Sequence, residues 1–401
     1  QLQEYRQSPA FLENNVPFDQ CIRLPEHQRN LAEHLCMELF GGSIKQKRIY
    51  FINMEILLAN LLVQKRKPVS VSLNRNNWKK SEARYTSPAI IEIITNMAEQ
   101  GYLQLVKGHK FTNTARNSRI WATEKLLKYC PIYPRAVIYE PKTCIVLRDD
   151  KGKEIDFKHT PKTLRIEAIL RRVNGVNQRA NITYGGHKLT VYLTAIYKRG
   201  FDLYGRLHTR GFRHLQGLSE DERSEVLING KPIIELDYAA LHPNLLYAAE
   251  GVQFNGDPYS IVDERPEVRP FLKRILLAML NAVDETQALR AANYIFYQDW
   301  KEKERLNSIG ITSAKPFIAK FKQAHQKISH YFCSGKDTGL RIMNKDAAIA
   351  LDVVSHFAKQ GIPVLAVHDS FLVQEKYRFE LHKVMKEKYR KHTAGFRIKI
   401  T

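Results

Sequence analysis

Along the first third of the chain, apolar residues recur at helical spacing. The run RIYFINMEILLANLLVQKR reads as one helix, and Ile90, Ile91, Ile94 and Met97 mark the apolar face of another. Thr86 or Ser87 can cap that second helix, Pro88 suits its first turn, and Gly101 stops it. The stretches YLQLVKG and SRIWAT then read as two strands joined by a basic, polar loop, with Trp121 as a core anchor behind the hairpin. Beyond residue 200 the pattern changes to apolar strands alternating with helices, and two of those strands carry ionisable residues where a core should be driest. In KPIIELDYAALHPNLLYAAEG the apolar run 233–236 ends in Asp237, and a helix follows with His242 and Pro243 in its first turns. In IPVLAVHDSFLVQ, residues 362–374, His368 and Asp369 interrupt an otherwise apolar β segment.

These patterns divide the chain into three. Residues 1–130 are mainly helical and basic, 131–200 form a mixed connecting or thumb-like region punctuated by Pro131, Pro134, Pro141 and Pro161, and 201–401 carry the interrupted strands. No internal repeat is visible. No apolar run reaches the roughly 18 residues of a membrane span, so no membrane partner is expected. The first residues, QLQEYRQSPAF, contain no signal-peptide apolar core. Five scattered cysteines, none in a CxxC pair, are expected to be reduced thiols in core positions, which points to a cytoplasmic setting.

Charge sharpens the picture. There are 63 lysines and arginines against 41 acids, a net charge of +22, and such a field attracts polyanions. Seven of the basic residues and a single acid fall in 101–135, and the same tally holds for 62–84. Lys107, Lys110, Arg116 and Arg119 are therefore candidate phosphate contacts. A helix followed by a hairpin with a charged tip resembles the winged-helix domains of plasmid replication initiators and bacterial regulators. That resemblance implies a nucleic-acid-binding module at the N-terminal end.

The two acids of the second half carry the chemistry. Carboxylates brought together repel, and a divalent cation between them removes that cost. Mg²⁺ suits one or two carboxylates plus substrate phosphates, and Mn²⁺ is an alternative. Two such ions about 3.5–4 Å apart can clamp the attacking and leaving oxygens of an in-line phosphoryl displacement. Positive groups for a triphosphate are at hand: in RPEVRPFLKRILLAMLNA, Arg269 and Lys273 share one helix face, opposite Leu276, Leu277 and Leu280. No HExxH or HxH pair supports a zinc hydrolase, and His208 and His214 read as surface or backbone contacts. Asp346 is evenly balanced between a helix-surface carboxylate and a partner of the site, and Asp257 is a turn residue held in reserve.

In order, Asp-Tyr after a strand, Arg-xxx-Lys on a helix and His-Asp-Ser in a hairpin resemble motifs A, B and C of the family A DNA polymerases and the phage-type single-subunit RNA polymerases. Residues 339–360 resemble the helix before motif C, and DLYGRLHT, 202–209, is similar to a segment that contacts template and primer. The resemblance covers 201–401. It implies that Asp237 and Asp369, with the Tyr238 carbonyl, hold the metals. It implies that Lys273 and Arg269 bind the β and γ phosphates, and that Arg206, Tyr238, His242 and Asn281 line the nucleotide site. His368 would sit near the primer terminus. Four positions depart from the family A pattern. His242 stands where Glu usually helps exclude a 2′-hydroxyl, Asn281-Ala282 replaces Tyr-Gly, and Leu277 replaces an aromatic residue. Sugar choice, template type and primer requirement are thus open.

The expectation is an α+β protein, a polymerase-like palm with an antiparallel sheet and a fingers helix, preceded by a mainly helical winged-helix domain. Its catalytic residues would be Asp237, Asp369 and Lys273, its cofactor Mg²⁺, and its partners nucleoside triphosphates with a DNA or RNA template and primer. The rival readings are a non-catalytic replication initiator or regulator with a degenerate palm, and a metal-dependent nuclease using the same acids.

Overall fold

The computed structural model describes residues 8–41, 47–63, 67–78, 87–111, 114–130, 137–139, 141, 143–210 and 214–401; at Lys47, Lys110, Phe111, Thr114, Ala115, Arg210 and Gln298 it describes the backbone alone. Thr86, Pro131, Pro134 and much of the basic run 62–84 lie outside these residues. The chain is mixed in helix and strand, with several sheets. It clusters into two compact units. One comprises Gln1–Cys144, Asn181–Tyr192 and Thr209–Ser219, the other Ile145–Ala180, Leu193–His208 and Glu220–Thr401. The mixed middle segment is thus divided between them.

In the first unit, helices Arg29–Phe40, Lys47–Val63 and Ala89–Glu99 pack together. Ile90, Ile93, Ile94 and Met97 form the buried face of the last helix, all fully inaccessible, whereas Ile91 is only half-buried. The i, i+3, i+4, i+7 stripe therefore runs through Ile93, one residue pair away from the expected register. The Ser87 hydroxyl accepts the Ala89 N–H at 3.3 Å, and the helix gives out before Gly101, whose φ is +74°. Strands Leu103–Val106 and Ser118–Ala122 pair antiparallel, and Val69–Val71 pairs on the far side of the latter. The connecting segment is not all loop: within it His109–Phe111 pairs antiparallel with Thr114–Arg116. Trp121 is buried edge-on against Phe11, with ring centroids 5.4 Å apart.

In the second unit, four strands lie side by side in the order Leu227–Ile228, Lys231–Asp237, Ser370–Gln374 and Leu365–Val367, each antiparallel to its neighbour. A separate sheet joins Ile145–Arg148, Tyr192–Lys198 and Gly200–Arg210. Helix Thr338–Lys359 packs against helix Pro161–Arg179 and strand Leu365–Val367, burying Ile349, Val353, Val354 and Phe357. The Pro161 helix starts in a capping box between Thr160 and Thr163. It also carries two buried amides. Asn174 exchanges hydrogen bonds of 2.9 and 2.7 Å with the Leu193 backbone, and Asn177 does the same with Val364 at 2.8 and 3.1 Å. Satisfied buried amides of this kind fix register, because leaving one unpaired is costly. Here they fix the entry of the segment that leads to His368 and Asp369.

Candidate active site

Strand Lys231–Asp237 pairs with Ser370–Gln374 so that Asp237 lies opposite Ser370. This register, between residues distant in sequence, sets Asp369 beside the end of the neighbouring strand. Asp369 and His368 are the two-residue connection of the hairpin, since Val367 pairs with Ser370. His368 sits at φ +59°, a left-handed conformation that costs a non-glycine residue about 1–3 kcal/mol. Both aspartates are deep but partly open to solvent. Burial, and then the charge of Asp369, push the Asp237 carboxyl up to about 7, while Lys273 and the Tyr238 N–H work against that rise. Burial, and then Asp346, likewise raise Asp369. Asp237 Oδ1 and His368 Nδ1 are buried without a hydrogen-bond partner.

Behind the pair lies a third carboxylate in the opposite condition. Asp346, in the middle of helix Thr338–Lys359, is 1% exposed. Arg206 Nε and Nη2 donate to its Oδ2 at 3.0 and 2.6 Å, and His242 Nε2 lies 3.5 Å from the same oxygen and 3.1 Å from Arg206 Nη2. Burial would raise this carboxyl, but His242 and Arg206 outweigh it and hold the group below its ordinary range. Arg206 reaches it because Tyr204 and Gly205 are both left-handed, a kink within strand Gly200–Arg210. A Cβ at Gly205 would come within 2.8 Å of the Tyr197 ring and 2.9 Å of Asn344 Nδ2, so glycine is required there.

His208 is not a surface residue as expected. It is half-buried, stacked on Tyr204 with Nε2 3.0 Å from the tyrosine hydroxyl, and 5.8 Å from the His368 ring. Burial and the neighbouring His368 lower its pKa to about 4, so it is a neutral imidazole at pH 7. His214 belongs to the other unit, with Nδ1 buried and unpartnered.

On helix Arg269–Asn281, Lys273 is exposed and close enough to Asp237 for its charge to act there. Arg269 is engaged by Asp257, at 2.6 and 3.3 Å, and lies 5.0 Å from the centroid of the buried Tyr259 ring. The turn residue Asp257 thus pairs with a candidate site residue. Leu276 and Leu280 are buried, but Leu277 is 39% exposed. Four residues after Lys273, Leu277 shares the charged face rather than the apolar one. Asn281 donates to the Leu277 carbonyl at 2.8 Å and abuts Gly339, where a Cβ would fall 2.3 Å from its Oδ1.

Two further expectations need correction. The Tyr238 side chain does not face the cleft: it is 1% exposed and its hydroxyl donates to the Met385 carbonyl at 2.6 Å. Only its backbone is available. The flanking pairs Asp237–Thr401 and Ala239–Lys399 leave Tyr238 at a non-hydrogen-bonded position of that ladder, so its carbonyl faces the other edge, toward the hairpin. Arg119, in the first unit, is 6% exposed and donates to Leu12 O, Ser70 Oγ and Asn117 O at 2.8–3.0 Å. Those contacts remove it from any phosphate surface. Lys107 is exposed, Arg116 is half-buried with an unpartnered Nε, and the Lys110 side chain lies outside the described set.

Sequence reading missed Glu235 and Arg223. Glu235 shares the face of Asp237 two residues on, lies 2.5 Å from Ser370 Oγ, and is gripped by Arg223 through two bonds of 2.9 Å. A charged residue two before the strand-end acid, inside an apolar run, was the available signal.

Among the described residues, no group of three or more His, Cys, Asp or Glu side chains is arranged to hold a metal ion. The Asp237–Asp369 pair nevertheless has the chemistry a hard cation requires: two carboxylates set side by side by strand register, one with an unsatisfied buried oxygen. No protein-family model matches the chain, and no curated protein matches it. Among solved structures, it is similar to the polymerase domain of Pol1 from M. smegmatis in complex with DNA primer-template and dNTP. The TM-score is 0.33 at 10% identity, over 95% of this chain and 66% of that one. The chain thus spans just under two thirds of that neighbour.

Proposed function

We propose that the chain is a template-directed nucleotidyltransferase, polymerising DNA or RNA, with Asp237 and Asp369 as ligands of Mg²⁺ or Mn²⁺. The observation that carries this reading is the strand register that sets the hairpin residue Asp369 beside the strand-end Asp237 in a partly open site, with one Asp237 oxygen buried and lacking any donor. A divalent cation bound there would stabilise charge on a transferring phosphoryl group. Lys273, already close enough to act on Asp237, would take the triphosphate, and Arg269 would do so by exchanging Asp257 for phosphate oxygens. His242 and Arg206, tied to Asp346, would shape the nucleotide pocket from behind. The neutral His368, on its strained turn, would border the primer end. In the first unit, the helix-and-hairpin module would hold nucleic acid through Lys107, Arg116 and Lys110, as a winged helix does.

Purified protein supplied with primed and unprimed templates, Mg²⁺, and labelled dNTPs or NTPs in parallel should yield sized extension products. Asp369→Asn should reduce incorporation by about 10³-fold or more. Specific duplex binding with no incorporation would establish a replication initiator instead. Degradation of labelled strands without nucleotides would establish a nuclease.

A further inference from the structure

Helices Glu285–Gln298 and Trp300–Ser308 of the second unit turn three large aromatic side chains outward: Tyr294, Tyr297 and Trp300 are 66%, 59% and 64% exposed. They are not overflow from a crowded core. The inner face of the first helix is already spent on Ala288, Ala292 and Phe296, all 0–2% exposed, with Phe296 against Phe271 at 5.8 Å. Tyr294 and Tyr297 are three residues apart and share one face, and Arg290 lies four before Tyr294 on the same side.

Cations interleave with these rings. Lys303 Nζ lies 4.5 Å from the Tyr297 ring centroid and Lys301 Nζ 5.7 Å from that of Trp300. Most of the acids on the two helices are committed elsewhere. Glu285 pairs with Lys322, Asp299 caps the Lys301 and Glu302 N–H groups, and Glu302 pairs with Arg274 and Arg305, which leaves Glu304. Exposed rings in sequence, bordered by cations with little competing acid, match the requirements of single-stranded nucleic acid. Bases of any identity stack on the rings and phosphates meet the cations. The chain's net charge of +22 draws the same partner.

We propose that Tyr294, Tyr297 and Trp300 form a base-stacking platform for a single strand of nucleic acid, with Arg290, Lys301 and Lys303 meeting its phosphates. The two helices that carry this face contain neither Asp237 nor Asp369. Its test needs neither nucleotide nor metal, so its failure would leave the proposed reaction untouched.

The chain has three tryptophans, and Trp78 and Trp121 are only 4% and 8% exposed, so Trp300 dominates the response to a ligand arriving from solvent. The full chain is titrated with an oligo(dT) of about 16 nucleotides in metal-free buffer while Trp emission is followed. Saturable quenching should appear and weaken as salt rises. Tyr294→Ala and Tyr297→Ala should each weaken the affinity read by that quenching by roughly 5- to 100-fold. Lys301→Gln with Lys303→Gln should flatten the salt dependence. Fluorescence anisotropy of labelled oligo(dT) should show loss of affinity with Trp300→Ala and retention with Trp300→Phe. All of these positions are on the surface, so unchanged circular dichroism checks the fold. Binding of oligo(dT) without a change in Trp300 emission would overturn the proposal, as would unchanged affinity in both tyrosine variants. Concentration-dependent quenching without oligonucleotide, together with a dimer in sedimentation, would mean that a second copy covers this face, and would also overturn it.

Discussion

Asp346 and Asp237 are carboxylates of the same unit with opposite fates. Asp346 is the more deeply buried, yet it stays ionised, because Arg206 gives it two hydrogen bonds and His242 stands beside it. Asp237 is more open, yet burial and then the charge of Asp369 push its carboxyl up to about 7, and one of its oxygens has no donor. Depth alone therefore does not decide ionisation; the partners around each carboxylate add to burial or outweigh it. A carboxylate satisfied within the protein is a structural element, while one with a buried oxygen left without a donor at a partly open edge is what a cation from outside would complete. Asp346 serves the pair indirectly, since its charge raises Asp369 while Arg206 and His242 oppose that rise.

This contrast can be broken first at Asp346. Asp346→Ala would leave Arg206 partly buried without its partner and should cost about 3–5 kcal/mol of stability, read by chemical denaturation. Asp237→Asn should cost no stability. Equal losses at the two positions would erase the distinction. Next is Lys273, the cation that offsets the rise in Asp237. Lys273→Ala should lower incorporation at neutral pH by about 10²-fold, with an unchanged fold and part of the loss recovered at higher pH. A variant as active as the parent would remove Lys273 from the site. The smallest effect is in pH. Between an unfolded carboxyl near 4 and the folded value of about 7, the folded chain holds a proton that the unfolded chain has released. In metal-free buffer stability should fall as pH rises through that window and level off above it. Asp237→Asn should lack that component, gaining about 1–2 kcal/mol over the parent at pH 8 once solvent access is allowed for.

Much of this was legible in the linear pattern, and the gaps have physical causes. Strand-end acids, the hairpin at His368–Asp369 and the shared face of Arg269 and Lys273 follow from period-2 and period-3.6 spacing, which are local. The helix 89–99 and its stop at Gly101 are local too. Spacing does not say which side of a strand meets the core, so the Tyr238 hydroxyl proved to serve Met385. Nor does charge say where a long side chain ends, and the Arg119 guanidinium turned inward to three oxygens. Leu277 shows the converse: an apolar residue left outside beside Lys273. The links of Arg206 to Asp346 and of Glu235 to Arg223 and Ser370 depend on tertiary register, which no local window contains.

The most direct measurement is Mn²⁺ binding followed by the electron paramagnetic resonance signal of the free ion, with nucleoside triphosphate present. The parent and an Asp352→Asn control should bind Mn²⁺ alike, and Asp237→Asn and Asp369→Asn should each release it while remaining folded. Undiminished Mn²⁺ binding in both site variants would contradict the account.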